Sequence, residues 1–443
     1  MIIVYGRRSV GKTEIVKRFL NDKPHYYFFV TMQELGPLLR TFLDQVGGVL
    51  AKMSVRTLED FLEVLATLIG ECRCAVVFDE FQRLSAIHPG ALSILQKIWD
   101  KKLRYTRIFL ILIGSSVGVM ERIGKSYESP LYGRRTGLLE VSPLDYWAAR
   151  LMFPNYSEED RVRAYAVVGG VPGYLVLFDP SASLLENIRQ MILRKGAPLY
   201  FEPEVLLLEE LRKLEPYFSI LSAIAQGYTR FGEIADVAGI ETTKLPKYMN
   251  VLVKRMKIVV HERPLLEKGR GVYRIEDEFF RFWFRFVFPN KTLLELGKTS
   301  DVLEEVRQEI DPHTSLTFEK VCKQFLLRAN GNPVRNVEIR FNKIGKWWHG
   351  ESEIDIVAVD ERHRRVYFVE CKWSDEPVDR SVLNKLIAKS EEFRWRKGER
   401  TEYFVIFSKK GFTFEPEEGV LLLSLEDMKA FAEKSFPIRI YRY

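Results

Sequence analysis

Apolar runs alternate with amphipathic segments over roughly the first 145 residues of the chain. Ile2, Ile3 and Val4 predict a short buried strand, and the apolar positions of residues 14–20 recur at helical spacing. Further runs at residues 75–78 and 107–114 predict two more buried strands. We therefore expect an α/β domain with a parallel sheet at the start of the chain.

From about residue 215 the pattern predicts three helices followed by a hairpin. The predicted elements are helices at 217–225 and 230–237, a third helix capped by Thr242 or Thr243, and strands at 258–260 and 272–275. Pro246 is tolerated because it falls in the first turn of the third helix. This order is typical of a winged helix-turn-helix. The aromatic segment 279–286 is apolar all round and predicts a core helix between domains.

A third pattern begins near residue 314. The predicted elements are a helix at 314–328, strands at 353–359 and 366–372, a helix at 379–395 and a strand at 403–408. The order α-β-β-α-β predicts a second α/β domain at the end of the chain.

Composition limits the class of protein. A chain of 443 residues with 47% hydrophobic and 29% charged residues is long enough for about two to four globular domains. The longest apolar run, 108–113, is far shorter than the roughly 20 residues that cross a bilayer, and the N-terminus lacks a secretory pattern. The 4 cysteines form no CxxC pair, which argues against a disulfide framework or a zinc site. We therefore expect a cytoplasmic protein without a membrane partner.

The formal net charge of +7 is concentrated in one segment. Between Thr242 and Arg270 the chain has eight lysines and arginines but only two acidic residues, Glu262 and Glu267, so this segment has a net charge of +6. On a winged helix they would lie on the third helix and on the wing, as Lys244, Lys247, Lys254, Arg255, Lys268 and Arg270. Such a surface can contact the phosphates of double-stranded DNA. The alternative is a packed regulatory lobe that contacts no DNA.

The stretch GRRSVGKT fits the phosphate-binding pattern G-x-x-x-x-G-K-[ST] in full and has the preceding strand and following helix that this pattern requires. Its glycines let the loop turn so that backbone N–H groups face a phosphate. Lys12 would bridge the β- and γ-phosphates of ATP, and the Thr13 hydroxyl would bind Mg²⁺. The predicted nucleotide-binding residues of this loop are Gly6, Arg7, Arg8, Ser9, Val10, Gly11, Lys12 and Thr13.

Acidic and small polar residues follow the next predicted strands. Asp79 comes directly after a buried strand, where ligands of parallel sheets collect, and is the predicted Mg²⁺ ligand. Glu80 is the predicted general base for an attacking water. Ser115 and Ser116 end the strand 107–114, where they would orient the water or cap a helix.

A loop further on contains Arg134 and Arg135 before another apolar run. Arg134 is a candidate catalytic arginine that would stabilise charge on the γ-phosphate. The alternative is a pair of surface cations.

Five segments together resemble the archaeal-type ATPases within the AAA+/STAND-related P-loop NTPases: GRRSVGKT, VVFDEFQRL (76–84), the strand that ends in GSS (114–116), YGRRTG (132–137) and GGVPGYL (169–175). The resemblance implies a helical lid over the nucleotide base, with Pro172 against the adenine. Members usually carry a leading segment before the P-loop strand. Because this chain starts at that strand, we expect either a start assigned too far downstream or an incomplete base pocket. The predicted domains are a P-loop core at 1–145, a helical lid at 146–214, a winged helix at 215–290 and a C-terminal domain at 291–443.

Charged residues interrupt the apolar strands of the C-terminal domain at Asp355, Glu370 and Lys372. Glu370 and Lys372 are two apart and share one face of their strand, and a neighbouring strand brings Asp355 beside them. The two carboxylates can hold Mg²⁺ while the lysine stabilises charge on a phosphate. Glu319 on the leading helix is a candidate additional ligand. Charges in such strands need a partner or an ion.

The D…ExK arrangement resembles the PD-(D/E)xK nuclease superfamily, which implies a restriction-endonuclease-like α/β fold. We expect these residues to form an intact metal-binding site, and we favour a physiological role other than cleavage of DNA. The whole sequence predicts an ATP-dependent switch in which ATP and Mg²⁺ bind between core and lid. An ATP-regulated, metal-dependent DNA nuclease and a non-catalytic nucleotide-binding scaffold remain as alternatives, and the oligomeric state stays open.

Overall fold

The computed structural model describes residues 1–47, 55–211, 213–267, 269–335 and 337–435. The chain divides into two compact units, residues 1–143 and 144–443. The predicted boundaries after residues 214 and 290 fall inside the second unit and stay predictions. Lys268, assigned above to the wing, lies outside the described residues.

A five-stranded sheet forms the centre of the first unit. Its strands are β1 (Ile2–Tyr5), β2 (His25–Phe29), β3 (Cys74–Asp79), β4 (Ile108–Gly114) and β5 (Gly137–Glu140). Their order is β2-β3-β4-β1-β5, and all four pairings are parallel. The predicted parallel α/β fold is confirmed.

Helices flank the strands of this sheet along the chain. They are α1 (Lys12–Leu20), α2 (Leu35–Val46), α3 (Leu58–Ile69), α4 (Gln82–Ile87), α5 (Ala91–Lys101) and α6 (Val117–Lys125), with a 3₁₀ turn at Leu103–Tyr105. Helix α1 buries Val16 and Leu20 against the sheet, whereas Ile15 and Phe19 are largely exposed. The helical spacing of the apolar residues was right, but only one of the two adjacent stripes on α1 faces the core.

The helices of the second unit vary in length. They are α7 (Tyr146–Ala149), α8 (Glu158–Val168), α9 (Pro172–Leu175), α10 (Leu184–Ile188), α11 (Glu202–Glu210), α12 (Glu215–Ala225), α13 (Phe231–Ala238), α14 (Leu245–Asn250), α15 (Glu278–Phe282), α16 (Lys291–Glu295), α17 (Thr299–Ala329), α18 (Arg380–Ser390) and α19 (Leu425–Ser435). A 3₁₀ turn at Arg150–Met152 follows α7, and π-helical turns at Arg189–Leu193, Val251–Arg255 and Trp283–Val287 extend α10, α14 and α15.

The strands of the second unit form two hairpins and one larger sheet. They are β6 (Val259–Glu262), β7 (Val272–Ile275), β8 (Asn332–Val334), β9 (Val337–Ile339), β10 (Lys343–His349), β11 (Ser352–Asp360), β12 (Arg365–Lys372), β13 (Thr401–Ser408) and β14 (Val420–Ser424). Strands β10 to β14 lie in chain order in one sheet, antiparallel from β10 to β12 and parallel from β12 to β14.

The three helices and the hairpin predicted between residues 215 and 275 are present as α12, α13, α14 and β6–β7. The predicted α-β-β-α-β order of the C-terminal region omitted β10 and β14. The predicted helix at 314–328 begins much earlier, at Thr299, and continues through Pro312. A proline removes only one backbone hydrogen bond of a helix, and the apolar packing of this helix outweighs that loss.

The C-terminal sheet is the middle layer of three. Helix α17 packs on one face through Phe318, Val321 and Phe325, and this cluster belongs to a core that runs from Tyr146 to Ala432. Helix α18 packs on the other face in a smaller core. The second unit therefore has one large core, to which elements from α7 to α19 contribute, and a smaller core under α18.

The loop between β6 and β7 lies against β10, the edge strand of the C-terminal sheet. The Leu265 N–H donates to the Lys346 carbonyl oxygen at 2.9 Å, and the Leu265 side chain packs near Gly345. Glu267 lies 3.4 Å from the ring of His349 on the same strand. The predicted wing is therefore docked on β10.

Within the described ranges, no helix is both long and apolar enough to cross a membrane.

Candidate nucleotide-binding and metal sites

The loop between β1 and α1 has the backbone of a phosphate-binding turn. Ser9 and Gly11 both lie in the left-handed region, with φ values of 63° and 91°. A Cβ at Gly6 would lie 2.1 Å from the Val141 carbonyl oxygen, so only glycine fits there. The sequence motif therefore folds locally as its residue types require.

Lys12 begins helix α1 and is buried. Its ammonium group donates to the Arg7 carbonyl oxygen at 2.8 Å, across the loop. Val10 is also buried, whereas Arg8 is exposed. The ammonium group of Lys12 thus lies inside the loop, where a phosphate would bind.

Asp79 ends β3 and collects three polar contacts within the first unit. The Thr13 hydroxyl donates to Asp79 Oδ2 at 3.0 Å, and the Tyr27 hydroxyl donates to the same oxygen. The Glu80 backbone N–H donates to Asp79 Oδ1 at 2.8 Å. Burial, then the hydrogen bond with Asp79 and the charge of that carboxylate, raise the pKa of Tyr27 above its ordinary value. Thr13 and Asp79 are thus brought together, as the sequence predicts.

Glu80 is held in a strained backbone conformation with φ of 57°. Its Oε2 accepts a hydrogen bond from the Ser115 hydroxyl at 2.8 Å and another from the Gln82 amide. Gln82 also donates to Ser115 at 3.1 Å, and Arg83 lies 3.8 Å from the Glu80 carboxylate. Ser115 therefore contacts the predicted general base, while Ser116 occupies the N-cap position of α6.

Arg134 pairs with Asp100 on α5. Its Nε donates to both Asp100 oxygens at 3.1 and 3.0 Å, and Nη2 donates to Oδ2 at 2.7 Å. Its Nη1 donates to the carbonyls of Pro130 and Tyr132. In this conformation Arg134 is held by its own loop and by α5, and its catalytic role stays a prediction.

Pro172 is the first residue of α9, in the second unit. The turn before it is tight, since a Cβ at Gly170 would lie 1.7 Å from the Leu144 carbonyl oxygen. The contact of Pro172 with adenine stays a prediction.

The residues at the edge of the first sheet fit ATP and Mg²⁺ chemically. Mg²⁺ prefers oxygen ligands and is usually held by one or two protein side chains together with substrate phosphates. The Thr13 hydroxyl and the Asp79 carboxylate, already 3.0 Å apart, supply such oxygens. Lys12 and the helix N-terminus supply positive charge for the phosphates.

The C-terminal charged residues converge where the start of β11 lies beside the end of β12. Ile356 pairs with Val369, which places the preceding Asp355 beside the following Glu370. The Cys371 N–H donates to Asp355 Oδ2 at 2.8 Å, and Lys372 Nζ lies 2.7 Å from Glu370 Oε1. The three predicted residues are therefore neighbours.

Additional charges surround this cluster. Lys389 on α18 lies 3.2 Å from Glu370 Oε2. Lys346 on β10 is buried and lies 2.9 Å from Glu319 Oε2, and it also pairs with Glu353. Glu319 projects from α17. Four carboxylates and three lysines thus share the end of this sheet.

Burial and the nearby charges of Glu319 and Glu370 raise the pKa of Asp355 to about 7. A bound cation would offset the repulsion between these carboxylates. No group of three or more His, Cys, Asp or Glu in the described part of the chain has the arrangement of a preformed metal site. Metal binding by Asp355 and Glu370 therefore stays a prediction.

The basic residues of α14 and its π-helical extension differ in their partners. Lys244 pairs with Glu241 at 2.6 Å, and Arg255 pairs with Glu210 at 2.9 Å. Lys247 and Lys254 are exposed and make no ion pair within the described ranges. The exposed positive surface on this helix is therefore smaller than the sequence indicates.

Sequence reasoning missed several polar residues at these sites. Tyr27 contacts Asp79 and Gln82 contacts Glu80. A tyrosine in a strand and a glutamine in a helix are common residues, so neither position indicated a site in the sequence. Lys346 and Lys389 approach the C-terminal cluster from elements that are distant in sequence. The strand β10 that carries Lys346 was not predicted.

Comparison with known proteins identifies known families in two regions of the chain. Residues 1–178 match an ATPase domain predominantly from Archaea. Residues 283–387 match a family described as Archaea bacterial proteins of unknown function. Over 433 residues the chain is 30% identical to uncharacterized protein MJECL04 of Methanocaldococcus jannaschii, covering 96% of this chain and 94% of that protein.

The chain belongs to the MJECL04 family. A shorter relative, uncharacterized protein MJ0424 of Methanocaldococcus jannaschii, is 38% identical over 84 residues, 19% of this chain and 82% of that protein. The Walker-type ATPase PABY2304 of Pyrococcus abyssi is a structural neighbour with 25% identity and a TM-score of 0.49, over 64% of this chain and 91% of that one.

The predicted archaeal-type ATPase domain is confirmed by the match over residues 1–178. The residues of the D…ExK cluster lie inside the other matched region, residues 283–387, to whose description no activity is attached. For this member of the MJECL04 family, the winged-helix and nuclease-like identities remain predictions.

Proposed function

We propose that this chain binds ATP together with Mg²⁺ and hydrolyses it, and that hydrolysis acts as a switch for an action on DNA. The observation that carries the proposal is the convergence of Lys12, Thr13 and Asp79 at one edge of a parallel sheet, with Glu80 beside them.

Each residue has a distinct role in this proposal. Lys12 exchanges the Arg7 carbonyl for phosphate oxygens, and Thr13 and Asp79 hold Mg²⁺. The metal supplies charge neutralisation at the β- and γ-phosphates. Glu80 accepts a proton from the attacking water on a carboxylate oxygen as the water oxygen bonds to the γ-phosphorus and the ADP oxygen leaves.

The hydrogen bonds of Glu80 support the idea of a switch. Ser115 and Gln82 both donate to Glu80 Oε2. Each such bond stabilises the carboxylate and makes it a poorer proton acceptor. We therefore expect turnover to be faster when Glu80 exchanges one of these donors for water.

The proposed DNA contact has its support on α14 and its extension. Lys247 and Lys254 project from the exposed surface and are available for phosphates. The docked β6–β7 loop argues for a contact made mainly by the helix, because Leu265 is engaged with β10.

Replacing Lys12 with Ala tests the ATPase proposal. The variant loses a charged group that contacts phosphate oxygens, so we expect ATP binding to weaken roughly ten- to hundredfold. Calorimetry with Mg·ATP and a phosphate-release assay, each with and without duplex DNA, measure the effect.

Lys17→Ala is the matched control, because Lys17 lies on the same helix but is exposed, and within the described ranges its ion pair is with Glu14. It should bind ATP like the unmodified protein. Equal ATP affinity in the Lys12 and Lys17 variants would contradict the proposal.

A second candidate function, metal-dependent cleavage of a DNA phosphodiester, is favoured by the charges around Asp355. Asp355 is partly buried beside Glu370, and Lys372 lies next to the Glu370 carboxylate. The carboxylates would hold Mg²⁺, and the ammonium group would stabilise charge on the attacked phosphate.

Lys372→Ala is expected to reduce Mg²⁺-dependent nicking of plasmid DNA about 10²-fold, because a cation that acts on developing charge is lost. Lys385→Ala on the exposed side of α18 is the control and should nick normally. Nicking that needs no metal, or that survives in the Lys372 variant, would assign the activity to another site or to a contaminant.

A further inference from the structure

A cavity of about 880 Å³ lies inside the second unit, between the β6–β7 hairpin, α15, α17 and the C-terminal sheet. Its volume is in the range of small-molecule sites. Asp355 and Glu319 line it, and so do Arg281, Arg285 and Lys323. The cavity therefore combines carboxylates of the candidate metal site with positively charged side chains.

Arg281 on α15 makes no ion pair with any residue in the described part of the chain. Its guanidinium group donates to the buried Thr317 hydroxyl, and its Nε is buried without a hydrogen-bond partner. Among the described residues no carboxylate lies within ion-pair distance of it. An arginine offers five N–H donors, and a neutral hydroxyl satisfies only one of them.

The other cations of the cavity contrast with Arg281. Lys320 pairs with Glu276 at 2.8 Å and Glu278 at 2.7 Å, and Arg285 pairs with Glu309 at 2.7 Å. Lys346 pairs with Glu319. These three cations are neutralised within the chain, and Lys323, which also lines the cavity, is partly exposed to solvent. Arg281, with its buried and unpartnered Nε, is therefore the group that calls for an external anion.

Burial lowers the pKa of Arg281 below its ordinary value. A buried cation is costly unless a counter-ion or hydrogen-bond acceptors compensate it. The charges of Glu278, Glu276 and Glu319 oppose this lowering of the Arg281 pKa, and the charge of Glu319 also acts on Asp355.

We propose that this cavity binds a nucleotide, with Arg281 receiving the phosphate group. The planar fork of a guanidinium matches phosphate oxygens in pairs. The cavity is far larger than a phosphate ion, and the ring of Tyr273, which stacks on His261 at 4.4 Å, lines it and offers an aromatic surface for a base.

The choice of phosphate over another anion rests on the proposed phosphodiesterase function, since Asp355 lines the same cavity. The nucleotide comes either free from solution or as the terminal nucleotide of a DNA strand. Both sources present the same phosphate chemistry to Arg281.

The experiment uses the full chain carrying Lys12→Ala, which weakens phosphate binding at the first unit. Melting temperatures are measured with Mg²⁺ and either deoxyadenosine monophosphate, a 5′-phosphorylated DNA dinucleotide, or adenosine as the ligand without phosphate. We expect one or both phosphorylated probes to raise the melting temperature by roughly 3–5 °C at about a hundred times the dissociation constant. Adenosine should have no effect.

Arg281→Met removes the charge and keeps much of the side-chain volume. We expect this variant to lose the ligand-induced shift and, without ligand, to melt no lower than its parent, because the unpaired charge is gone. Arg307→Met on α17, which does not line the cavity, is the control and should keep the shift. Arg281→Lys provides a second variant that preserves the charge, and we expect its affinity to fall about tenfold.

A shift with the mononucleotide identifies a free nucleotide as the ligand, and a shift with the dinucleotide alone identifies a strand end. Absence of any shift, an unchanged shift in Arg281→Met, or a lower melting temperature of ligand-free Arg281→Met would overturn the inference. Binding through Arg281 in a protein that nicks no DNA would support the nucleotide site and count against the phosphodiesterase proposal alone.

Discussion

Replacing Glu80 with Gln is expected to lower the rate of ATP hydrolysis by about 10²- to 10⁴-fold while ATP binding stays intact. The amide has nearly the same shape as the carboxylate but cannot accept a proton from the attacking water. Glu80 contacts Ser115, Gln82 and the Asp79 carboxylate through its own N–H, and none of these contacts belongs to the phosphate loop.

Single-turnover hydrolysis and calorimetry on the same preparation separate the two effects. Glu71→Gln is the matched control, because Glu71 is an exposed glutamate of the first unit. It should hydrolyse ATP at the unmodified rate. If Glu80→Gln hydrolyses ATP as fast as the parent, the general base is another group, and if neither protein turns over ATP, the scaffold alternative is favoured.

Replacing Asp355 with Asn is expected to stabilise the metal-free protein above pH 7, by on the order of 2–4 kcal/mol. In the folded chain the pKa of Asp355 is about 7, raised from 3.8 by burial and by the charges of Glu319 and Glu370. At pH 8 the native state therefore holds a buried carboxylate among like charges. Asparagine removes that charge and keeps the shape.

The sign of the pH dependence follows from the two pKa values. Between pH 4 and 7 the folded state retains the Asp355 proton that the unfolded state has released, so this group contributes stability that is lost as the pH rises. The free energy of unfolding of the unmodified protein in EDTA should thus fall across this window more steeply than that of Asp355→Asn.

Chemical denaturation at pH 5.5 and pH 8, with EDTA or with Mg²⁺, measures both effects. Mg²⁺ should stabilise the unmodified protein at pH 8 and have little effect on Asp355→Asn, because the cation takes the place of the proton. Asp301→Asn, an exposed residue in the first turn of α17, is the control. A variant that is less stable than its parent at pH 8 in EDTA would show that the carboxylate is stabilising as it stands.

Local signals predicted the first unit well. The loop from Gly6 to Thr13 has a fixed spacing, because each position serves the backbone turn or the phosphate, and the flanking elements β1 and α1 follow directly in sequence. Asp79 could also be predicted from a local signal, because an acidic residue at the end of a buried apolar strand stands out in the sequence.

Contacts between distant segments were harder to predict. Asp100 reaches Arg134 from helix α5, which is distant in sequence from the loop that carries Arg134, and no local sequence signal predicts this pair. Tyr27 reaches Asp79 from β2, a strand whose aromatic residues also suit an ordinary core position. Strand β10 contains glycine and lysine among its apolar residues, so its polar and apolar positions alternate only weakly. It forms a strand because it pairs with β11.

The docking of the β6–β7 loop on β10 also has a practical consequence for dividing the chain. An uncovered edge strand presents unpaired backbone groups to other molecules and invites intermolecular sheet pairing. A recombinant fragment that begins at residue 291 would lack Leu265, and the Lys346 carbonyl would lose the N–H that it now accepts. Such a fragment would tend to aggregate, so a truncation intended for crystallisation should keep residues 144–443 together.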